Sequence, residues 1–434
     1  MSEHSGVPDL KQTVLPSDGL VGSLDLPADK SIAHRSALFA AIGEGTSEII
    51  GFPTSADPQS TLSCLRQLGV EIRESEKALH IVGRGLRGLQ SPTGPIDCGN
   101  SGTTMRLLSG ILSGRPFDST LIGDVSLSSR PMGRIIDPLS EMGVSITTKT
   151  RRPPFTILAQ HRALDSIEYR LPIASAQVKS CILLAGLSAG GISTVIEPQT
   201  TRDHTERMLG LSSVVIDGTK RIDVEGEMRI PARKWSIPSD FSAAAFFMVA
   251  ASIIPGSNVK LPDVGLNPTR TGLLDVLRTM GADIAIDNVR EVAGEPIGDM
   301  TVRHAQLSGM EIDEALISNL IDEVPILCIA ALAAEGKTTI RHAEELRHKE
   351  SDRIDAMVKG LRSLGVRIEE FEDGVEIEGG QSLNGGNVSA RHDHRIAMAF
   401  AVAGLAAKDP VTIEGAAIAD VSFPGFYDAI DSLR

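Results

Sequence analysis

The stretch RHDHRIAMAFAVAGLAAKDPVTIEGA (residues 391–416) contains the pattern that decides the fold. It begins with a polar cluster, continues as a short apolar run, and turns at small and acidic residues into a segment of Val, Thr and Ile. The apolar run predicts a buried helix and the final segment predicts a strand. The stretch therefore predicts one small α/β module.

The same order of segments occurs six times along the chain. The six apolar runs begin at polar clusters, namely Asp29-Lys30-Ser31, Asn100-Ser101-Gly102-Thr103, Ser175-Ala176-Gln177, Asp240-Phe241-Ser242, Asp322-Glu323 and Asp393-His394-Arg395. A second phrase also recurs, as LRQLGVEI from Leu65, LSEMGVSI from Leu139, LRTMGADI from Leu277 and LRSLGVRI from Leu361. This phrase predicts an amphipathic helix that ends at Gly and is followed by a strand. The spacing of roughly 65 to 80 residues exceeds solenoid periods, so each repeat is expected to be a complete module.

The length of 434 residues exceeds what one hydrophobic core usually covers, so two domains of three modules are expected. The segment RIPARKWSIPSD interrupts the pattern, which places the break near Trp235 to Pro238. The predicted lobes are residues 22–237, and residues 1–21 together with 238–434. In each lobe, the apolar helices are expected inside and the amphipathic ones outside.

Composition excludes several classes of protein. A net charge of −14 and an aromatic content of 3% argue against binding to nucleic acid. The four cysteines are far apart and show no C-x-x-C spacing, so neither a zinc site nor a disulfide framework is predicted. The first residues lack a secretory signal pattern, and apolar helices of about 10 to 14 residues are too short for a bilayer. We therefore expect a cytoplasmic protein that does not bind a membrane, and further expect a monomer.

The polar helix starts are candidate anion sites, because a helix N-terminus offers free N–H groups and the positive end of the dipole. Lys30 and Arg35 place two cations at one such start, which predicts either an external anion or a salt bridge to a nearby carboxylate. The small residues from Ser101 to Thr103 would let a ligand approach the backbone, although an ordinary capped helix has the same pattern.

Two further segments carry ionisable side chains. HKESDRIDAM places Lys349, Glu350 and Arg353 within one turn, either as an acid/base carboxylate beside two anion binders or as a solvated charge run. Asp322 and Glu323 lie just ahead of a strongly apolar helix, as is common for acidic N-cap residues, and a capping carboxylate is held rigidly enough to serve as a general base. His392 and His394 would not share a helical face, so no metal site is expected.

Taken together, these segments resemble the enolpyruvyl transferases, specifically the branch that acts on 3-phosphoshikimate. The matching phrases, in family order, are LPADKSIAHR, DCGNSGTTMRLLSG, GDVSLSSRPMGRI, LPIASAQVKSCILLAG, TRDHTERML, LNPTRTG, HKESDRI and DHRIAMAFA. The resemblance implies an α/β fold of two similar domains, each of three βαβαββ units around buried helices, with the active site in the interdomain cleft. It also implies transfer of the enolpyruvyl group of phosphoenolpyruvate to the 5-hydroxyl of 3-phosphoshikimate, with release of phosphate and without a metal or other cofactor.

The resemblance also implies a role for each residue of the site. Asp322 would accept the 5-hydroxyl proton and Glu350 would protonate the phosphoenolpyruvate methylene, while Lys30 would bridge both substrates. The shikimate part would be bound by Ser31, Arg35, Ser175, Gln177, Arg202 and Lys349. Phosphoenolpyruvate would be bound by Gly102, Arg130, Arg353 and Arg395, with His394 at the border of its site.

Three positions depart from the family pattern. Ala28 replaces a usual Gly, Ala176 replaces a second Ser, and the segment from Asp420 to Pro424 lacks a Lys that many members carry. Ser-Ala-Gln and TRDH resemble the branch that tolerates glyphosate, whereas Gly102 is typical of sensitive members, so the response to this inhibitor stays open. Two alternatives are a UDP-N-acetylglucosamine enolpyruvyl transferase and a noncatalytic anion-binding repeat protein. The first family pairs its early Lys with Asn and carries a loop Cys that meets phosphoenolpyruvate. It is disfavoured because Ser31 follows Lys30 here and because the stretch from Gly114 to Arg134 contains no Cys.

Overall fold

The structure, a computed structural model, describes residues 10–76 and 78–434. Contacts within the chain divide it into two compact units. The N-terminal unit comprises Ala28–Ile237 and Glu291–Glu295. The C-terminal unit comprises the described residues up to Pro27, Pro238–Arg290 and Pro296–Arg434.

Helices and strands alternate along the chain. The helices are α1 (Lys30–Ile42), α2 (Ala56–Gln67), α3 (Gly102–Leu112), α4 (Val125–Ser129), α5 (Gly133–Glu141), α6 (Ala176–Gly186), α7 (His204–Leu209), α8 (Phe241–Ile253), α9 (Gly272–Thr279), α10 (Glu314–Leu320), α11 (Val324–Ala333), α12 (Arg353–Ser363), α13 (His394–Leu405) and α14 (Phe426–Asp431). The strands are β1 (Gln12–Val14), β2 (Val21–Ser23), β3 (Glu44–Ile50), β4 (Glu71–Glu74), β5 (Ala78–Arg84), β6 (Ile96–Asp97), β7 (Ser119–Ile122), β8 (Ile146–Thr148), β9 (Phe155–Ile157), β10 (Glu168–Arg170), β11 (Ile192–Glu197), β12 (Ser213–Ile216), β13 (Thr219–Glu225), β14 (Lys234–Ser236), β15 (Asn258–Gly265), β16 (Asp283–Val292), β17 (Glu295–Arg303), β18 (Lys337–Ile340), β19 (Ile368–Phe371), β20 (Gly374–Glu378), β21 (Gly386–Ser389) and β22 (Val411–Glu414).

Six small sheets form among the described residues, three from each unit's part of the chain. Their strand orders are β14-β3-β5-β4, β6-β7-β9-β8 and β10-β11-β13-β12 in the first part, and β16-β17-β15-β2, β18-β20-β19 and β1-β22-β21 in the second. The module from β10 to β13 follows the βαβαββ order without interruption, and the module from β6 to β9 follows it with two consecutive helices, α4 and α5, in the second helical position. The predicted mixed α/β architecture of repeated modules is therefore present.

Other modules take a strand from a distant part of the chain. β14 lies parallel to β3 and completes the first sheet of the N-terminal unit. Near the start of the chain, β2 lies parallel to β15, and β1 lies antiparallel to β22. Both strands before α1 thus join sheets of the C-terminal unit. Residues 1–9 of the predicted second lobe lie outside the described part.

Each unit buries three of the apolar helices in its core. α1, α3 and α6 belong to the core of the N-terminal unit, and α8, α11 and α13 belong to that of the C-terminal unit. α3 and α6 approach closely at Gly110, where a Cβ would lie 2.2 Å from the carbonyl oxygen of Cys181. The six predicted buried helices are confirmed.

The recurring amphipathic phrase also forms the predicted elements. α2, α5, α9 and α12 each end just before a glycine with positive φ, for example Gly143 at 85° and Gly365 at 85°. Only glycine adopts this left-handed conformation without strain, so the residue ends the helix and turns the chain into the next strand.

The division of the chain differs in detail from the predicted lobes. The first boundary lies after Pro27 instead of residue 21, because β2 and the following segment pack with the C-terminal unit. The segment Glu291–Glu295 belongs to the N-terminal unit although its flanking residues belong to the other. The assignment of these two units as the two predicted lobes of three modules each stays a prediction.

One helical stretch in the described part is longer than the sequence predicted. Glu314–Ala333 runs for 20 residues, because α10 continues through a 3-10 turn into α11, and its most apolar 18-residue window has a mean hydropathy of 1.8. Of its most apolar window, 72% is buried inside the protein. A core helix has the same properties, so this stretch is weak evidence for a membrane span.

Candidate active site

The start of α1 holds Lys30 and Ser31 in its first turn. Asp29 caps the helix, since its Oδ1 accepts a hydrogen bond of 2.8 Å from the amide of Ile32. The Nζ of Lys30 lies 3.1 Å from Oδ2 of Asp57, and 30% of the lysine side chain is exposed. The salt bridge that the sequence left open is therefore present, while the ammonium group stays accessible at the helix start.

Arg35 lies one turn further along α1 and is buried, with 3% exposed. Its guanidinium donates to Thr205 Oγ1 at 2.8 Å, to Ser180 Oγ at 3.0 Å and to the carbonyl of Ser31 at 3.0 Å. Burial lowers the pKa of Arg35 to about 10, against the opposing effect of nearby carboxylates. Arg35 thus connects α1 with α6 and α7, and its predicted contact with substrate stays a prediction.

The start of α3 brings two guanidinium groups against one glycine. Gly102 is the first residue of α3, behind the capping hydroxyl of Ser101. A Cβ at Gly102 would lie 2.8 Å from Nη1 of Arg106 and 3.3 Å from Nη1 of Arg130. Asn100 holds Arg130 through a bond of 2.8 Å. The absence of a side chain at Gly102 therefore leaves room for both cations beside the helix N-terminus.

This cluster of positive charge is electrostatically strained. Burial lowers the pKa of Arg106 to about 10, and repulsion from Arg130 and Arg134 contributes further. Gln177 accepts from Nη1 of Arg106 at 2.5 Å and donates to Thr103 at 3.0 Å. An anion bound here would offset the repulsion, because charge-assisted hydrogen bonds to guanidinium are strong. The sequence did not assign Arg106 to the site, although its place one turn after Gly102 was a usable signal.

The start of α6 and the segment before α7 complete the predicted residues of the N-terminal unit. Ser175 caps α6 by accepting from the amide of Val178, and Arg202 lies two residues before α7. Arg202 is close enough to Arg35 for its charge to lower the pKa of that residue.

A buried ionic network anchors α7, and sequence reasoning missed it. Nζ of Lys179, which is 0% exposed, lies 2.9 Å from Glu197 and 2.8 Å from Glu206. His204 contacts Glu295 at 2.7 Å, and both are buried. A lysine inside an apolar helix was the signal in the sequence, since buried lysines need a paired carboxylate.

In the C-terminal unit, four cations surround Asp322. Its carboxylate oxygens lie 3.3 Å from Arg353, 3.8 Å from Lys349, 3.9 Å from Arg395 and 4.0 Å from Arg270. The interpretation of Asp322 as a helix cap is wrong, because the N-cap of α11 is Glu323, whose side chain makes no capping hydrogen bond. The cations, instead of the helix, hold this carboxylate.

Glu350 and Arg353 form a close pair. Nη2 of Arg353 lies 2.7 Å from Oε2 of Glu350, and Lys349 pairs with Glu345 at 2.9 Å. The side chain of Arg353 is 2% exposed and that of Glu350 is 33% exposed. The alternative of a solvated charge run is therefore wrong, because its central cation is buried.

Asp393 fixes the other edge of Arg353. The Nε–Oδ2 distance is 2.8 Å, and the carboxylate is fully buried. Burial acts to lower the pKa of Arg353, but Asp393, Glu350 and Asp322 raise it above its usual value. Burial acts to raise the pKa of Asp393, and the charge of Arg353 holds it below its usual value. The pair therefore stays ionised and rigid.

The start of α13 places His394 and Arg395 in the same cluster. Asp393 caps the helix through a bond to the amide of Arg395. Nη1 of Arg395 donates to the carbonyl of Asp322 at 2.8 Å and to Glu323 at 3.1 Å. His394 is the first residue of the helix and is 7% exposed. The structure thus brings together the candidates of the C-terminal unit, and His394 is close enough to Asp393 for its charge to lower the pKa of that carboxyl.

Among the described residues, no group of three or more His, Cys, Asp or Glu side chains is arranged to hold a metal ion.

Comparisons with known proteins show the family of this chain. The family model of EPSP synthase (3-phosphoshikimate 1-carboxyvinyltransferase) matches residues 14–430. A 3-phosphoshikimate 1-carboxyvinyltransferase of Salinibacter ruber is 55% identical over 422 residues, covering 96% of this chain and 98% of the relative. One of Coxiella burnetii is 50% identical over 417 residues, covering 95% of each. A solved EPSP synthase structure from Acinetobacter baumannii has a TM-score of 0.89 at 44% identity and 98% coverage of both chains. This chain therefore belongs to the EPSP synthase family, the 3-phosphoshikimate 1-carboxyvinyltransferases.

Proposed function

We propose that this protein transfers the enolpyruvyl group of phosphoenolpyruvate to the 5-hydroxyl of 3-phosphoshikimate and releases phosphate. One observation carries the proposal beyond family membership. Asp322 and Glu350 both contact Arg353, at 3.3 Å and 2.7 Å, and so two carboxylates lie within one cationic cluster. Addition of a hydroxyl to an enol phosphate needs a base at the attacking oxygen and an acid at the methylene carbon, and this pair supplies both.

The two carboxylates have different surroundings, which suits different roles. Asp322 is surrounded by cations and 14% exposed, and it accepts the proton of the 5-hydroxyl. Glu350 has one close cationic partner and is more exposed, and it delivers a proton to the methylene carbon of phosphoenolpyruvate. Loss of phosphate from the addition intermediate, together with removal of a proton from its methyl group, then forms the enol ether of the product.

The cations bind the charged groups of the substrates. Arg353 and Arg395 clamp the carboxylate of phosphoenolpyruvate, and the Gly102 amide with Arg130 contacts the same substrate. The 3-phosphoshikimate molecule is held by Ser31, Arg35, Ser175, Gln177, Arg202 and Lys349, while Lys30 contacts both substrates. Charge-assisted hydrogen bonds of this kind are the expected way to hold two phosphates and two carboxylates.

The remaining parts of the proposal concern the location, the oligomeric state, the partners and an inhibitor of the enzyme. The enzyme acts as a cytoplasmic monomer on small-molecule substrates, without cofactor, nucleic acid or membrane. Glyphosate is proposed to compete with phosphoenolpyruvate at the residues around Gly102. This is supported by the lack of a side chain at Gly102, because a Cβ there would lie against the guanidinium groups of Arg106 and Arg130.

An assay of the inorganic phosphate that is released when both substrates are present tests the proposal. We expect release only when phosphoenolpyruvate and 3-phosphoshikimate are present together, and loss of release in the Asp322→Asn variant. Binding of both compounds without phosphate release by the unaltered chain would instead support a noncatalytic anion-binding protein.

A further inference from the structure

Each of the six buried apolar helices begins at polar residues, and among these six starts only that of α8 has no role in the proposed reaction. Its residues are Asp240, Phe241 and Ser242, and the side chain of Asp240 caps the helix at the amide of Ser242. Ser242 is 7% exposed. The phrase LNPTRTG, which contains Arg270, also has no assigned role. Both features meet in the C-terminal unit, at the hydroxyl group of Ser242.

Three charged side chains contact this hydroxyl. Ser242 Oγ donates to Oε1 of Glu323 at 2.5 Å, and it accepts from Nη2 of Arg270 at 2.6 Å and from Nη2 of Arg395 at 3.1 Å. A hydroxyl has one hydrogen and two lone pairs, so these contacts use its full capacity. Ser242 is therefore held in one orientation by its partners, and it holds them in turn.

The same partners determine the plane of the Arg395 guanidinium. Arg395 donates to the Asp322 carbonyl at 2.8 Å, to Glu323 at 3.1 Å and to Ser242 at 3.1 Å. Two of these three acceptors belong to the Ser242 network. Because guanidinium is planar, acceptors on two of its nitrogens leave little freedom of rotation.

Arg270 completes the network on the side of Asp322. Its side chain is 4% exposed, and its Nη1 lies 4.0 Å from Oδ2 of Asp322. Glu323 is 1% exposed and supplies the buried negative charge of the network. It contacts Arg395 directly and is linked to Arg270 through the hydroxyl of Ser242. A buried network whose members are bonded to one another rigidifies its surroundings.

We infer that Ser242, Glu323 and Arg270 are positioning residues, which hold Arg395 in the orientation that receives the carboxylate of phosphoenolpyruvate. This inference rests on the proposed function, since it assigns Arg395 to that substrate. None of the three touches the reacting atoms, and each acts through Arg395 or Asp322. The start of α8 is thus a support for the clamp and not a further anion site.

Steady-state kinetics of the Ser242→Ala variant tests the inference. The change removes the acceptor of both guanidinium groups, so we expect the KM for phosphoenolpyruvate to rise about tenfold. The KM for 3-phosphoshikimate should stay within about twofold, because Arg395 is not assigned to that substrate. Ser252→Ala is the matched control, since Ser252 is a buried serine of the same helix whose hydroxyl, among the described hydrogen bonds, donates only to the carbonyl of Met248.

Substitutions of Glu323 separate positioning from a general loss of structure. Glu323→Gln retains an oxygen acceptor of the same size and should raise the KM for phosphoenolpyruvate less than Glu323→Ala does. This pair also serves if the Ser242→Ala variant fails to fold, as judged by circular dichroism. Equal effects of the two Glu323 variants on both substrates would overturn the inference.

A double-mutant cycle between Ser242→Ala and Arg395→Lys measures the coupling directly. If Ser242 acts through Arg395, the combined effect on phosphoenolpyruvate binding should be clearly smaller than the product of the single effects. Independent effects, or a Ser242→Ala variant that behaves like Ser252→Ala, would overturn the inference while leaving the proposed function intact. Failure of the unaltered enzyme to release phosphate would instead overturn the proposed function.

Discussion

The two units arrange the charges at their helix starts in different ways. In the N-terminal unit, Arg106 and Arg130 lie against Gly102, and their nearest described partners are neutral amides. In the C-terminal unit, Arg353 contacts three carboxylates, those of Asp322, Glu350 and Asp393. The start of α3 in the N-terminal unit therefore presents two guanidinium groups with no carboxylate partner among the described contacts, while the C-terminal unit presents acids and bases that contact one another.

This difference indicates a division of labour. Uncompensated guanidinium groups gain most from an anionic ligand, so they suit substrate binding. Carboxylates held among cations are placed rigidly, so they suit proton transfer. The N-terminal unit is thus expected to contribute mainly to affinity and the C-terminal unit mainly to turnover, and the following variants test this contrast.

The largest effect is expected at Glu350, which the proposal makes the general acid. Glu350→Gln should lower kcat by about 10³-fold, within the range for loss of general acid–base catalysis, and should leave 3-phosphoshikimate binding nearly unchanged. Rapid-quench turnover and isothermal titration calorimetry measure the two quantities. Glu345→Gln is the control, because Glu345 belongs to the same segment and pairs with Lys349. Equal losses of turnover and binding would remove Glu350 from the acid/base role.

The next largest effect concerns folding, at the buried charges of the N-terminal unit. Lys179→Met leaves Glu197 without its ammonium partner and Glu206 with only Lys220, at 3.4 Å. Breaking a buried pair from one side should lower the free energy of unfolding by about 3 to 5 kcal/mol, measured by urea denaturation.

Adding Glu197→Gln to Lys179→Met should restore part of the lost stability, because it removes the unpaired charge. Lys11→Met is the control, since the pair of Lys11 with Glu414 is exposed and should contribute little. An unchanged midpoint for Lys179→Met would show that the buried carboxylates do not depend on this lysine.

A smaller effect is expected at Gly102. In Gly102→Ala, the new methyl group meets the ends of Arg106 and Arg130, which are flexible enough to move aside. The fold should stay intact, while the KM for phosphoenolpyruvate should rise by about 10-fold, as one displaced charge-assisted contact predicts. Gly94→Ala is the control, because a Cβ there meets no atom within 4 Å. A change in kcat alone, with the KM unaltered, would contradict the assignment of this unit to affinity.

The last test concerns the dependence of stability on pH in the N-terminal unit. Burial lowers the pKa of His34 from 6.5 to about 3, and its Nδ1 contacts Thr61 at 2.7 Å. The unfolded chain therefore binds a proton below pH 6.5 that the folded chain does not bind until about pH 3. Stability is fully present above pH 6.5 and falls by about 1.4 kcal/mol per pH unit as the pH drops toward 3.

Denaturation curves between pH 7 and 5 measure this slope. His34→Gln should flatten it by the contribution of one proton, whereas His161→Gln, at an exposed position, should leave it unchanged. Identical slopes for His34→Gln and the unaltered chain would contradict the expectation.

Local chemistry was predicted well from the sequence. Period and capping determine where α13 begins, directly after Asp393, and the positive φ that glycine adopts without strain determines where α12 ends before Gly365. These features depend on neighbours within a few residues, so the pattern of the chain contains them. The candidate residues of the site followed from the same helix starts together with the family phrases.

Features that join distant segments were not predicted. The hydroxyl of Ser242 collects Arg270, Glu323 and Arg395 from three separate parts of the chain, and nothing in the local pattern of Asp240 to Ser242 indicates these partners. The capping role expected for Asp322 failed for the same reason, because four cations from other segments surround its carboxylate.

By itself, the sequence determined the repeated α/β modules, the buried and amphipathic helices and the polar residues at the helix starts. These depend on hydrophobic period and on backbone preferences that act over short distances. Only the tertiary structure decided which strand completes each sheet, as when β14 joins β3, and which charge each ionisable group faces. Pairing energies of buried charges depend on distance in space and on loss of water, and neither quantity is written in the order of the residues.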